Sequence, residues 1–168
     1  MFFFNNRDWK GKSFMKICVC SDSHGNWHAL QEMADLENPD MIIFLGDGER
    51  DWNQVELPRD MRFAAVCGNC DLMAMEPPFR RFELCGKKIF MTHGHLYGAK
   101  QDLFGLHLQA TKSPTDLVLY GHTHRAKIEE LEGCTYLCPG NMGFQEAHYA
   151  VLTLRPGDSR MDIQLKTL

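Results

Sequence analysis

No stretch of this sequence reaches the roughly 18 consecutive apolar residues that a membrane-spanning helix needs. It also lacks any excess of positive charge. Eighteen Lys and Arg stand against 22 Asp and Glu, giving a net charge of −4 and a pI near 6.0. That balance argues against a non-specific nucleic-acid binder. Only three phenylalanines follow Met1 before polar residues begin, which is too short for the apolar part of a secretory leader. With no export signal to read, the expected compartment is the cytoplasm. Repeats, linkers and low-complexity tracts are absent too. The seven cysteines make an odd number, and Cys18 and Cys20 fall inside a strand-like run, so reduced thiols are expected. Cys67-x-x-Cys70 and Cys134-x-x-x-Cys138 lie too far apart in the chain to read as a zinc knuckle.

What remains is an ordinary globular composition, 44% hydrophobic and 24% charged over 168 residues. This fits a single domain large enough to bury a core without disulfides. Met15–Cys20 reads as a first buried strand. Asn26 is placed to cap a helix over 27–37, whose apolar positions Trp27, Leu30, Met33 and Ala34 have helical spacing. A strand over 41–47, a short helix over 50–58 and a strand over 62–69 follow. This alternation predicts parallel strands with helices on the sheet faces. The second half predicts two strands around a turn at Gly86, a helix from about Lys100 to Ala110, and strands at 116–122, 127–133, 134–140, 148–154 and 160–166. The whole predicts an α/β sandwich with two sheets. Met1–Phe14 precede the natural first strand and read as an upstream extension or the product of a mis-set start codon, ahead of a domain over 15–168.

Potential metal ligands follow one predicted strand after another. They are Asp22 and His24 in CSDSHGN, Asp47 in FLGDGE, Asn69 and Asp71 in CGNCD, His93 and His95 in FMTHGH, and His122 and His124 in LYGHTH. Five of the eight histidines lie in these motifs. Each motif alone is common. Together, at the carboxyl ends of strands where α/β sheets bind ligands, they predict one convergent site. Gly25, Gly46, Gly68, Gly94 and Gly121 are read as residues that let the chain turn where strands stop. A mixed oxygen and nitrogen donor set suits Mn²⁺, Fe²⁺, Co²⁺, Ni²⁺ or Zn²⁺ better than Mg²⁺ or Ca²⁺, and the lack of thiolate argues against structural zinc.

The set DSH, GD, GNCD, THGH and GHTH resembles the calcineurin-like metallophosphoesterase superfamily. GNCD, THGHLYG and DLVLYGHTH resemble its small YfcE-like bacterial phosphodiesterase branch. The resemblance covers about residues 15–155. It implies a four-layer αββα sandwich of two mixed sheets and a binuclear centre. One metal would be held by Asp22, His24, Asp47 and His124, and the other by Asp47, Asn69, His93 and His122. Manganese is the metal it favours. The implied reaction is attack on phosphorus of a small phosphodiester by a hydroxide bridging the two metals. Two carboxylates against two divalent cations leave a positive site, as a phosphodiester monoanion requires.

Some positions depart from the family pattern. Cys70 stands where many members carry a histidine thought to protonate the leaving group, and a thiol matches that task less well. His95 is the candidate to assist instead, or else only orients a neighbour. Cys67 replaces a common arginine, and Pro139-Gly140-Asn141 replaces Pro-Gly-Ser. Asn26 is placed either to cap a helix or to flank the metal centre. Asp71 is either a ligand-orienting residue or a turn residue. A second function class also fits, a non-catalytic metal-binding scaffold of the same fold, as in a eukaryotic trafficking subunit. A repair-type nuclease of the superfamily would need accessory domains and a basic groove, and the sequence shows neither. Met73, Met75, Pro77, Pro78 and Phe79 form a candidate exposed loop, and self-association into a homo-oligomer would use such a surface.

Overall fold

The computed structural model describes residues 12–143 and 146–168. Apart from Lys12–Phe14, the N-terminal extension inferred from the sequence lies outside the described residues. The strands are β1 (Met15–Cys20), β2 (Met41–Phe44), β3 (Arg62–Ala65), β4 (Phe79–Leu84), β5 (Lys87–Thr92), β6 (Leu117–Tyr120), β7 (Lys127–Leu131), β8 (Cys134–Cys138), β9 (His148–Leu154) and β10 (Met161–Thr167). The helices are α1 (Trp27–Glu37) and α2 (Phe104–Ala110), with single 3₁₀ segments at Glu49–Gln54 and His95–Tyr97.

The strands form two five-stranded sheets, ordered β10-β9-β1-β2-β3 and β4-β5-β6-β8-β7. β1, β2 and β3 are mutually parallel, as are β5, β6 and β8, while β9, β10, β4 and β7 run antiparallel to their neighbours. Both sheets are therefore mixed, as the sequence reading expected. Their central strands are apolar on both faces because both faces are covered. Met15, Ile17 and Val19 of β1 meet Ile89, Met91, Leu117 and Leu119 between the sheets. The alternate residues Cys18 and Cys20 pack under Leu30 and Met33 of α1. On the other side, Phe90, Val118 and Tyr136 face outward against Leu106 and Ala110 of α2. Three apolar layers thus separate four layers of structure, αββα.

The short helix expected over 50–58 is a 3₁₀ segment at Glu49–Gln54. Its Asp51 turns inward, accepting hydrogen bonds from Ser23 Oγ (2.5 Å) and Gly25 N–H (2.9 Å), which holds the segment against the loop after β1. The helix expected from Lys100 begins only at Phe104, where Asp102 accepts the Phe104 N–H at 2.8 Å. The turn at Gly86 is as expected. Cys85 and Gly86 both have positive φ (51° and 80°), the backbone of a tight hairpin turn. The seven cysteines are all free, with Cys18, Cys20, Cys85, Cys134 and Cys138 buried. Burial, with the charge of Glu37 adding to it, pushes the Cys18 thiol up to about 12, and burial also pushes the Cys20 thiol up.

Buried Glu37, at the end of α1, ties this helix to the sheet. It accepts from Tyr149 Oη (2.8 Å) and Lys166 Nζ (2.6 Å), with Lys16 Nζ 3.6 Å away. Burial opposes its charge, but the bonds from Lys166 and Tyr149 and the lysine charges outweigh it and lower its pKa. A depressed carboxylate pKa contributes stability above the unfolded value, about 4.3, and loses it as pH falls through the folded value. Glu37→Gln is therefore expected to melt below the wild type at pH 7, with the gap closing below about pH 4. A gap that stays constant across pH 3–7 would refute the ionic role.

Candidate metal centre

Every motif singled out in the sequence lies just beyond a strand, at its carboxyl end. Asp22 and His24 follow β1, Asp47 follows β2, and Asn69 and Cys70 follow β3. His93 and His95 follow β5, and His122 and His124 follow β6. The first three strands belong to one sheet and the last two to the other, so the site sits where the two rims meet. Backbone bonds join neighbouring loops within each sheet. Asp22 N–H donates to Gly46 O (2.9 Å), His24 N–H to Asp47 O (3.2 Å) and Gly121 N–H to His93 O (3.1 Å). Two side-chain bonds cross between sheets. His93 Nδ1 pairs with Leu45 O at 2.8 Å, and His122 N–H donates to Asp22 Oδ2 at 3.0 Å.

Local backbone geometry marks the same residues. Asp22, His24, Asp47, His122 and His124 all have φ between 46° and 67°. Non-glycine residues seldom adopt this left-handed conformation, although Asp and His tolerate it better than most. Five such residues at one rim mean that tight folding there is held by its surroundings. Two of the five glycines read as turn residues serve another purpose. A Cβ on Gly68 would lie 2.0 Å from Asp47 Oδ1, and one on Gly121 would lie 2.0 Å from Ser21 Oγ and 2.9 Å from Asp22 Oδ2. These glycines make room for the two carboxylates.

Three sets of ligand atoms come within 4.8 Å of one another: Asp22, His24 and His124; Asp47, His93 and His122; and His24, Asp47 and Cys70. His24 and His124 direct their Nε2 atoms at each other across 3.4 Å, and His124 Nε2 is 3.1 Å from Asp22 Oδ1. His93 Nε2 is 3.4 Å from Asp47 Oδ2 and 3.9 Å from Asp22 Oδ1. The first two sets match the two implied ligand groups, apart from Asn69 and the shared Asp47. Asn69 is exposed and directs its Nδ2 to Cys70 Sγ at 3.3 Å. The ring of His95 packs 5.3 Å from that of His93 and 6.1 Å from that of His122.

These residues suit a divalent cation. Asp22 Oδ1 and His93 Nε2 are buried with no hydrogen-bond partner among the described residues. A buried carboxylate oxygen facing an imidazole nitrogen with nothing between them is costly. With the Nδ1 proton of His93 directed at Leu45 O, Nε2 offers a lone pair to the centre. A cation between these atoms would satisfy both, and the mixed donor set is one that transition metals prefer.

The charges respond accordingly. Burial opposes ionisation of Asp47, but His93 and the Cys70 N–H (2.7 Å to Oδ1) outweigh it and hold its pKa far below the usual carboxylate range. Burial also opposes protonation of His93, yet the Asp47 carboxylate 3.4 Å from its Nε2 and the charge of Asp22 outweigh it and raise its pKa. Burial, reinforced by His93 and Lys100, pushes His122 down to about 4. Burial and the nearby His93 lower His95 as well. Burial and Asp47 raise the Cys70 thiol, so it stays protonated and makes a poor ligand.

The supporting residues are less visible in sequence. Asp71 accepts four backbone N–H groups, from Asp47 (2.7 Å), Gly48 (2.8 Å), Glu49 (2.9 Å) and Gly68 (2.7 Å). It clamps the loop after β2 to the loop after β3, a larger part than either sequence reading gave it. Asp51 and Ser23 brace the loop after β1 and were not singled out at all. Asn26 does cap α1, accepting from Ala29 N–H at 3.4 Å, and its Nδ2 also donates to Met142 O and Gly143 O, both at 2.9 Å. Asn141 donates to His124 O at 3.3 Å, steadying the last ligand loop.

A family model described as the calcineurin-like phosphoesterase superfamily domain matches residues 15–157. A probable metallophosphoesterase, YsnB of Bacillus subtilis, is 33% identical over 146 residues, covering 83% of this chain and 85% of YsnB. The phosphodiesterase YfcE of Escherichia coli K12 is 26% identical, covering 82% of this chain and 87% of its own length. Among solved structures, a protein of Streptococcus pneumoniae TIGR4 described as a predicted phosphoesterase superposes with a TM-score of 0.75. It is 27% identical and the match covers 94% and 91% of the two chains. Vacuolar protein sorting 29 of Cryptosporidium parvum shares the fold alone, with a TM-score of 0.74 and 14% identity over 94% of this chain and 99% of that one. The chain belongs to the calcineurin-like metallophosphoesterase superfamily, with YfcE-like phosphodiesterases among its relatives.

Proposed function

We propose that this chain is a binuclear, manganese-dependent phosphodiesterase that hydrolyses small phosphodiesters in the cytoplasm. The observation that carries the reading is Asp22 Oδ1 and His93 Nε2, 3.9 Å apart at the convergent rim and both buried with no hydrogen-bond partner among the described residues. One cation would be held by Asp22, His24, Asp47 and His124, the other by Asp47, Asn69, His93 and His122, with Asp47 shared. When bound, such a pair supplies Lewis acidity and makes a water acidic enough to attack phosphorus near neutral pH.

The chain's own residues prepare that chemistry. Asp47 Oδ1 is fixed by the Cys70 N–H, so its orientation is set before any ligand arrives. Asp22 is locked through Oδ2 by His122 N–H, which turns Oδ1 toward His124 Nε2 (3.1 Å) and the centre. Burial and the nearby His93 lower the pKa of His95, and its Nδ1 is buried with no partner among the described residues. That nitrogen is placed to bond the substrate or relay a proton, whereas Cys70 offers only a thiol of raised pKa. His95→Ala is therefore expected to lower kcat by roughly 10²-fold, the lower range for general acid–base groups, and Cys70→Ala by far less. The reverse order would assign the leaving-group role to Cys70.

Purified protein should contain metal and should hydrolyse phosphodiesters in preference to monoesters when Mn²⁺ is added. EDTA should abolish that activity. A metal-replete protein inert toward a panel of mono-, di- and cyclic phosphoesters would favour the second reading, a metal-binding scaffold of the same fold. That reading has in its favour the exposed apolar residues Leu72 (76% exposed), Met73 (91%) and Met75 (89%), and the likeness in fold to vacuolar protein sorting 29. The same residues are the surface through which a homo-oligomer would form. The net charge of −4 speaks against specific nucleic-acid partners.

A further inference from the structure

Among the described residues, Cys70 is the one cysteine that enters a candidate metal group. Its Sγ, a ring nitrogen of His24 and a carboxylate oxygen of Asp47 lie within 4.8 Å of one another. His24 Nε2 and Asp47 Oδ2 are 4.0 Å apart. Two hydrogen bonds place Cys70. Its N–H donates to Asp47 Oδ1 at 2.7 Å, and Asn69 Nδ2 donates to its Sγ at 3.3 Å. Beside His24, 3.8 Å from its Nε2, stands Asp22 Oδ1, fully buried and with no hydrogen-bond partner among the described residues. The outer side is open. His24, Asp47 and Cys70 line one end of a groove of about 620 Å³, and Cys70 is exposed. A cation therefore reaches these donors from solvent.

We propose that His24, Asp47 and Cys70 form a site for a thiophilic divalent cation such as Zn²⁺ or Cd²⁺, which displaces manganese from the centre and so makes the chain sensitive to such metals. One sulfur, one nitrogen and one oxygen donor, with a fourth position open to solvent, is a set that zinc accepts. Bonds of about 2.0–2.3 Å put tetrahedral neighbours roughly 3.3–3.7 Å apart, so the three side chains need to close only slightly. Manganese prefers oxygen and nitrogen donors and leaves the thiol protonated, whereas softer cations select thiolate. Burial, Asp47 and Asp71 favour the protonated thiol on their own. A bound divalent cation reverses the local charge, and the thiol proton leaves to water as the sulfur–metal bond forms. The site shares His24 with one proposed manganese group and Asp47 with both. Its cation therefore competes with manganese and is not a third ion. The proposal rests on the metal-centre reading for that competition, and on no particular hydrolytic activity.

The test is metal binding to the full chain after treatment with EDTA. Adding Cd²⁺ is expected to raise the ultraviolet charge-transfer band of a cadmium–thiolate bond in the wild type and in Cys67→Ser, but not in Cys70→Ser. By calorimetry, Cys70→Ser should lose at least about 10-fold in Zn²⁺ affinity, the lower end of what even a residue bonded to a ligand contributes, while its Mn²⁺ affinity changes far less. Cd²⁺ should also displace bound Mn²⁺ from the wild type at a lower concentration than from Cys70→Ser. Cys70 is exposed, so its replacement leaves the fold in place. No band in the wild type, a band of equal strength in Cys70→Ser, a band lost in Cys67→Ser instead, or an equal loss of Zn²⁺ and Mn²⁺ affinity would overturn the site. A band that depends on Cys70 in a chain that hydrolyses no phosphodiester would keep the site and end the phosphodiesterase reading.

Discussion

Asp47→Asn is expected to abolish turnover while leaving the fold in place. Asn adopts the left-handed backbone of this position (φ 58°) as readily as Asp, and its side-chain oxygen can still accept the Cys70 N–H. What it loses is charge. The candidate centre contains only two carboxylates, Asp22 and Asp47, among the residues the structure brings together, and Asp47 is the one both proposed cations share. Halving the negative charge weakens both at once. Even one electrostatic contact aimed at developing charge is worth about 10²–10³ in kcat, so a loss of at least about 10³-fold is expected. Assays at saturating Mn²⁺, with metal content and circular dichroism measured on the same sample, check this. Near-normal hydrolysis with bound metal would rule out Asp47 as the shared ligand.

The second large effect falls on stability. Asp71→Ala strips the acceptor from the N–H groups of Asp47, Gly48, Glu49 and Gly68 at once. Hydrogen bonds to charged groups contribute about 1.5–3 kcal/mol each, and water will replace some of them in this half-exposed loop. A net loss of about 2–4 kcal/mol is expected, which for a chain of this size lowers the melting temperature by roughly 5–15 °C. Metal affinity should fall by about 10–100-fold, because the backbone that presents Asp47 is no longer held. Asp71→Asn should lie between, since an amide oxygen can still accept two of the four. A melting curve superimposable on wild type in Asp71→Ala would show that the clamp contributes nothing.

Much of this was legible because buried parallel strands announce themselves. Apart from Lys16 and Asp116 at their starts, MKICVC and DLVLY are apolar, since both faces are covered, and each ends abruptly at a glycine or polar residue. That is why Asp22, Asp47, His93 and His122 were found, and why five dispersed motifs read as one site. The residues that brace the site are hidden in the sequence for a physical reason. Asp71, Asp51 and Asn26 act by accepting or donating backbone bonds from segments up to 117 residues away, and nothing in local sequence records which distant N–H will arrive. The glycine reading was partial for the same reason. Gly46 and Gly94 do adopt positive φ, but Gly68 and Gly121 are dictated by carboxylates that reach them only in the folded state. Residues 50–58 read as a short helix, but the inward bonds of Asp51 to Ser23 and Gly25 go with a single 3₁₀ segment at 49–54.

The most direct measurement is anomalous diffraction at the manganese edge from crystals grown with Mn²⁺. Two ions are expected, about 3.5–4 Å apart, one against Asp22, His24 and His124, the other against Asn69, His93 and His122, with Asp47 touching both. A centre holding no ion, or a single ion that leaves either group of side chains without metal, would contradict the binuclear assignment.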